Sequence, residues 1–234
     1  MARVTNGIFG SASGRVGKHV YRNIRGKNFV SIRPESYNIS NSDKAIANRK
    51  KFGLTSLFAK FIAGNEALKQ IWSQNSRDKS YTYNKIIKAN AAFTKEQTLT
   101  PMNRIVPDNQ ISLIKNFSFE DGVIKADIIA GITNTLFLSS ESVTFIFIFF
   151  IKNDPKPKED EFGFSSMSLE ISAGDLPEKI SFPVTEELFA LLRRSLSGVI
   201  YNTIIQKQDT KYKWTNTASA TFENNELLLS ANGL

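Results

Sequence analysis

Nine consecutive residues, Val143 to Ile151 (VTFIFIFFI), restrict what this chain can fold into more than any other segment. β-Branched and aromatic residues favour a strand, and in an extended run successive side chains point to opposite faces. Both faces are apolar here, so the strand is central and buried, or has one face against a partner. A membrane helix needs about 20 apolar residues. The longest unbroken run, Phe145–Ile151, has seven. A membrane-barrel strand alternates and is one of many alike, which this segment is not. No membrane span is expected.

Segments of period two surround it. Candidate strands are 111–119, 122–130, 135–139, 143–152, 164–172, 198–207, 211–222 and 226–230, with Glu120-Asp121-Gly122 as a tight hairpin turn. Lys152–Glu161 (KNDPKPKEDE) reads as a solvated loop. Thr185 is placed to cap a short helix through Arg194, with Glu186 and Glu187 in its first turn. Short strands punctuated by turns predict an antiparallel β-sandwich-like domain over 110–234.

The first hundred residues follow a different period. A helix is expected from about Asp43 to Ala63, carrying Ile46, Phe52, Leu54, Leu57, Phe58, Phe61 and Ile62 and stopped by Gly64. A shorter helix over 65–74 holds Leu68, Ile71 and Trp72, and a third holds Tyr83, Ile86, Ile87, Asn90 and Phe93. Residues 35–96 thus form a helical segment. Residues 97–109 contain Pro101 and Pro107 and no period, and read as a linker. The fold class is α+β.

Ahead of the helices lies a glycine-rich opening with Gly7, Gly10, Gly14 and Gly17. Glycine permits positive φ and close backbone approach, which suits an arm that folds onto something. Residues 15–23 and 28–33 form a hairpin turning at Ile24–Lys27, with Gly26 left-handed and Pro34 closing the second strand. Residues 1–34 are accordingly a basic, Gly-rich arm and hairpin.

Charge divides along the same line. Residues 1–100 carry 18 Lys and Arg against 5 Asp and Glu, and residues 101–234 carry 12 against 17, giving +8 overall. A basic part joined to an acidic part suits an anionic partner, or self-association with the basic part of one copy against the acidic part of the next.

Motifs for catalysis fail on spacing. Gly17-Lys18 approaches a P-loop, but the first glycine of that motif would fall at Ala12 and its Mg²⁺-binding hydroxyl at His19. His19 is the only histidine and there is no cysteine, which excludes disulfides, Cys metal sites and His-rich clusters. Glu159-Asp160-Glu161 lacks the ligand spacing of a Ca²⁺ loop. Adjacent helical residues such as Glu186 and Glu187 point about 100° apart and cannot face each other. A non-enzymatic protein without cofactor or metal is expected.

The strongest positive signal is Arg15, Lys18, Arg22, Arg25, Lys27 and Arg33, six cations within nineteen residues with Tyr21 and Phe29 interleaved and no acid between them. Arg forks and glycine-loop N–H groups suit phosphate oxygens, and aromatic rings can stack on bases. Lys44, Arg49, Lys50 and Lys51 continue the charge onto the first helix. Two functions fit. One is a structural or assembly protein whose basic arm contacts neighbouring subunits of a homo-oligomer or a partner, as in a phage- or secretion-related particle. The other is a nucleic-acid-binding protein of low specificity. Residues 1–14 lack the apolar core of a signal peptide, so a location in the cytoplasm, or in a virion or other particle assembled there, is expected.

The opening also resembles a family of uncharacterised bacterial proteins that begin N-G-I-x-G-x-x-S-G-[KR]-V-G, followed by a G-K turn and R-x-[RP]-P. The matching residues are Asn6-Gly7-Ile8, Gly10, Ser13 through Gly17, Gly26-Lys27 and Arg33-Pro34. A helix with Arg49, Lys51 and Phe52, and then Trp72 and Asn90, is also similar. The resemblance spans roughly residues 1–95. It implies the two-part architecture and carries no activity with it.

Overall fold

Short β-branched stretches separated by glycine shape the start of the chain. The computed structural model describes residues 2–4, 14–24, 26–36, 39–74, 81–109, 111–129, 136–138, 141–153 and 161–224. They divide into two units, Met1–Ile46 and Ala47–Leu234. In the first unit, β1 (Ala2–Val4), β2 (Gly14–Val16), β3 (His19–Ile24) and β4 (Lys27–Ile32) form an antiparallel sheet in the order β1-β4-β3-β2. Gly26, at φ 73°, makes the expected turn between β3 and β4. Asn23 fastens it, accepting from the Gly26 N–H at 3.1 Å and donating to Asn28 Oδ1 at 2.8 Å. The single strand expected over 15–23 is instead broken at Gly17 (φ 58°), where left-handed backbone reverses the chain. The expected arm differs too: Ala2–Val4 pairs with β4 and Gly14 begins β2. Gly7, Gly10 and Arg25 lie outside the described residues.

Three helices follow: α1 (Asp43–Gly64), α2 (Glu66–Gln74) and α3 (Thr82–Asn90). The first two keep their expected boundaries to within one residue, whereas α3 ends at Asn90 and Phe93, expected on it, lies in the turn beyond. Asn65 starts α2 by accepting from the Leu68 N–H at 3.1 Å. On α1, Leu54, Phe58 and Ile62 recur at one face and are buried, whereas no residue of its first half, Asp43–Gly53, is.

The remaining elements are β5 (Ile114–Glu120), β6 (Val123–Ile128), β7 (Ser142–Lys152), β8 (Phe162–Ser172), β9 (Lys179–Pro183), α4 (Glu186–Arg193), β10 (Ser197–Gln208), β11 (Lys211–Trp214) and β12 (Ala218–Glu223). Thr185 caps α4 as expected, its Oγ1 accepting from the Leu188 N–H at 3.3 Å. One antiparallel sheet has three strands, ordered β5-β6-β9. The other has five, ordered β11-β10-β7-β8, with β12 also on β10. The expected strand 211–222 is therefore two strands sharing one edge of β10: β12 on residues 197–202 and β11 on 205–208. Thr215 makes the hand-over, exchanging hydrogen bonds of 3.0 Å with Ile204 through its N–H and its Oγ1. β9 escaped the sequence reading because it is five residues long and ends at Pro183. Of 135–139 only 136–138 are described; they make no ladder, and Leu138 instead exchanges hydrogen bonds with the Gln206 side chain at 2.8 and 2.9 Å. The strand expected at 226–230 lies outside the described residues.

The run Phe145–Ile151 is buried on both faces. Phe145, Phe147, Phe149 and Ile151 pack with Ile124 and Ile128 of β6, Ile180 of β9 and Leu188 and Leu192 of α4. Ile146, Ile148 and Phe150 pack with Leu54, Phe58 and Ile62 of α1, Leu68, Ile71 and Trp72 of α2 and Ile86 of α3. Each such side chain contributes roughly 1.5–3 kcal/mol by leaving water. Residues 97–109 do not act as a linker between bodies. Leu99, Ile105 and Val106 are buried in the same cluster as the helices and one face of β7 and β10. The helices therefore share a core with the sheet rather than forming a separate segment, and the division falls at Ile46/Ala47.

Candidate partner-binding face of the N-terminal sheet

Strand pairing decides which of the N-terminal side chains stand together, because directly opposed residues share a face. The ladder sets Arg15 opposite Val20, Arg22 opposite Phe29 and Ile24 opposite Lys27. Arg15, Arg22, Lys27 and Phe29 thus occupy one face. Lys18 and Arg33 close the sheet at one end, where the Arg33 N–H donates to the Lys18 carbonyl at 2.9 Å. Tyr21 lies on the opposite face, opposed to Gly14 and Val30, beside the Val16–His19–Ile32 row. The predicted set is therefore split: Arg15, Arg22, Lys27 and Phe29 come together, and Tyr21 does not join them.

The break at Gly17 causes this arrangement. In one continuous strand Arg15 would share a face with Tyr21; the reversal at Gly17-Lys18 moves it beside Arg22. The Arg15 Nε–H donates back to the Gly17 carbonyl at 3.0 Å, which holds the guanidinium over that turn. Gly17 is required for its φ of 58° and Gly14 for its φ of 125°, so these two backbone positions serve the shape of the sheet.

One cation of the set is neutralised within the unit: Lys18 pairs with Glu35, both well exposed. Glu35 is the first acidic residue of the chain. It was missed because it follows Pro34, outside the hairpin. Among the described residues Arg15, Arg22, Lys27 and Arg33 meet no carboxylate.

No described residue of β2, β3 or β4 is buried. Val16 is 68% and Ile32 70% exposed on the apolar face, and Ile24 is exposed among the cations. A sheet usually needs a covered apolar face for independent stability. The sequence signal for this face was the β-branched content of the hairpin, read only as strand propensity.

Elsewhere the described residues contain no group of three or more metal-ligating side chains, and no helix long and apolar enough to cross a membrane. Comparison of the chain with family models, with curated proteins and with solved structures returned no match.

Proposed function

We propose that this chain is a non-enzymatic assembly protein whose N-terminal sheet is completed by a neighbouring copy. The observation that carries the reading is a four-stranded sheet with exposed Val16 and Ile32 on one face and Arg15, Arg22 and Lys27 on the other, and no buried residue among β2–β4. Apolar surface of this kind gains about 25 cal/mol per Å² when covered. The cationic face suits the acid excess of residues 101–234 in another copy, 17 acids against 12 bases. A phage- or secretion-related particle is a setting in which such head-to-tail contacts repeat. Light scattering across concentration tests this. Val16→Ser with Ile32→Ser should lower the mass of the assembled species, and an unchanged mass would reject the role of this face.

A second reading rests on Phe29 standing directly opposite Arg22, with Arg15 and Lys27 on the same face. Cations around an aromatic ring favour single-stranded nucleic acid, the phosphates meeting Arg and Lys while a base stacks on Phe29. Filter binding at several salt concentrations separates the two readings.

A further inference from the structure

The geometry points to a second self-association surface: the open edge of β8, where the same strand of another copy adds antiparallel, centred on Ser166. β8 is an outer strand of the five-stranded sheet and pairs only with β7 among the described residues. That pairing runs without a register shift from Ser142↔Ser172 to Lys152↔Phe162. Natural sheets blunt such edges with short strands, Lys, Pro or bulges. Three other edges of the larger unit do so. β11 has four residues, two of them Lys211 and Lys213; β9 has five and ends at Pro183; β5 is bulged between Lys115 and Ser118, with Asn116 at φ 48°. β8 has eleven residues, no Lys, no Pro and one charge, Glu170.

Side-chain size selects the occupant. On the helix-facing side β8 is large at its start (Phe162, Phe164) and small beyond (Ser166, Ser168). On the other side it is small at its start (Gly163, Ser165) and large beyond (Met167, Leu169, Ile171). Over residues 163–169 an antiparallel copy of this strand sets large against small on both faces at once. Centred on Ser166, the pairs are Phe164 with Ser168, Ser165 with Met167 and Gly163 with Leu169. A parallel copy in register would set Phe on Phe and Leu on Leu.

Charge permits the same pairing. The two Glu170 side chains fall eight residues apart along the strand direction, about 27 Å at about 3.4 Å per residue, too far to repel. Phe162 and Phe164 are only half-buried, along a cleft of about 690 Å³ shared with Leu57, Phe61 and Ile148. The added strand covers their open side. The result is a two-fold dimer with one continuous sheet. This contact does not use the N-terminal sheet.

Because the chain has no cysteine, a single introduced thiol reports the register directly. Ser166→Cys and Ser172→Cys both place a thiol at an exposed position of β8. In the full-length protein under mild oxidation, Ser166→Cys should form an intermolecular disulfide at least tenfold faster than Ser172→Cys, whose two copies would be about 40 Å apart. Ser168→Lys, at another exposed site, should slow the Ser166→Cys cross-link and, combined with Val16→Ser and Ile32→Ser, convert a dimer to monomer in light scattering. Arg22→Glu with Lys27→Glu should leave the cross-link rate unchanged, so loss of the N-terminal contact and loss of this one are distinguishable. Equal rates for the two cysteines, a Ser168→Lys variant that cross-links as fast as before, or no cross-link at either position would overturn the proposal.

Discussion

Asn90 grips Arg104 at both ends of its backbone: its Oδ1 accepts from the Arg104 N–H at 2.7 Å and its Nδ2 donates to the Arg104 carbonyl at 3.0 Å. Asn103 adds to this, donating to Asn90 Oδ1 at 3.2 Å and to Thr94 Oγ1 at 3.1 Å. Trp72 continues along the same segment, its indole N–H reaching the Ile105 carbonyl at 2.9 Å. An irregular segment can be buried only if its peptide groups find partners, and these side chains supply them. Asn90→Ala should therefore cost roughly 2–3 kcal/mol, because it leaves backbone groups of Arg104 without partners. Chemical denaturation with an unchanged m-value would read that loss as stability alone.

Two glycines should respond to alanine with opposite signs. A Cβ at Gly198 would collide with the Phe150 carbonyl oxygen and stand 2.5 Å from the Phe222 ring, both of them across the β10 ladders. Gly198→Ala should destabilise by more than about 3 kcal/mol, since backbone cannot give way cheaply. Gly53 lies in the exposed part of α1 with nothing within 4 Å of an added Cβ. Gly53→Ala should stabilise by about 1 kcal/mol through helix propensity. Thermal melts of the two variants check both signs.

Tyr201 links stability to pH at the alkaline end. Its ring is buried against Phe58 and its hydroxyl donates to the Thr100 carbonyl at 2.8 Å, so burial pushes its ionisation well above the usual phenol range. Below about pH 10 the folded and unfolded chains both keep the proton; above it the unfolded chain releases the proton first, so stability falls as pH rises further. Tyr201→Phe should lose about 1 kcal/mol at neutral pH and show a shallower alkaline decline. Denaturant midpoints measured from pH 8 to 11 give the comparison.

If nucleic acid occupies the cationic face, the log–log salt slope should fall by about 1.4 when Arg22→Glu and Lys27→Glu remove two contacts to single-stranded phosphate, at about 0.7 per contact. Phe29→Ala should weaken binding about tenfold or more without changing the slope, because stacking releases no counterions.

Much of the larger unit was legible because its burial is periodic. Phe145–Ile151 declared a strand covered on two sides, and Leu54, Phe58 and Ile62 declared one helix face. Burial without a period left no such trace. Leu99, Ile105 and Val106 sit in a segment held by hydrogen bonds from Asn90 and Trp72, partners that no local pattern reveals. The candidate face was half legible. The run of cations is visible in the sequence, but its grouping depends on the reversal at Gly17, which only the ladder from Arg15 to Val20 discloses.

Amide hydrogen exchange over His19–Ile32 tests the central claim most directly. If an external surface completes the N-terminal sheet, these amides exchange quickly in dilute protein and become protected as concentration drives association, while the β7 and β10 amides stay protected throughout. Full protection of His19–Ile32 in a dilute, monomeric sample would contradict the account, since the sheet would then stand without a neighbour.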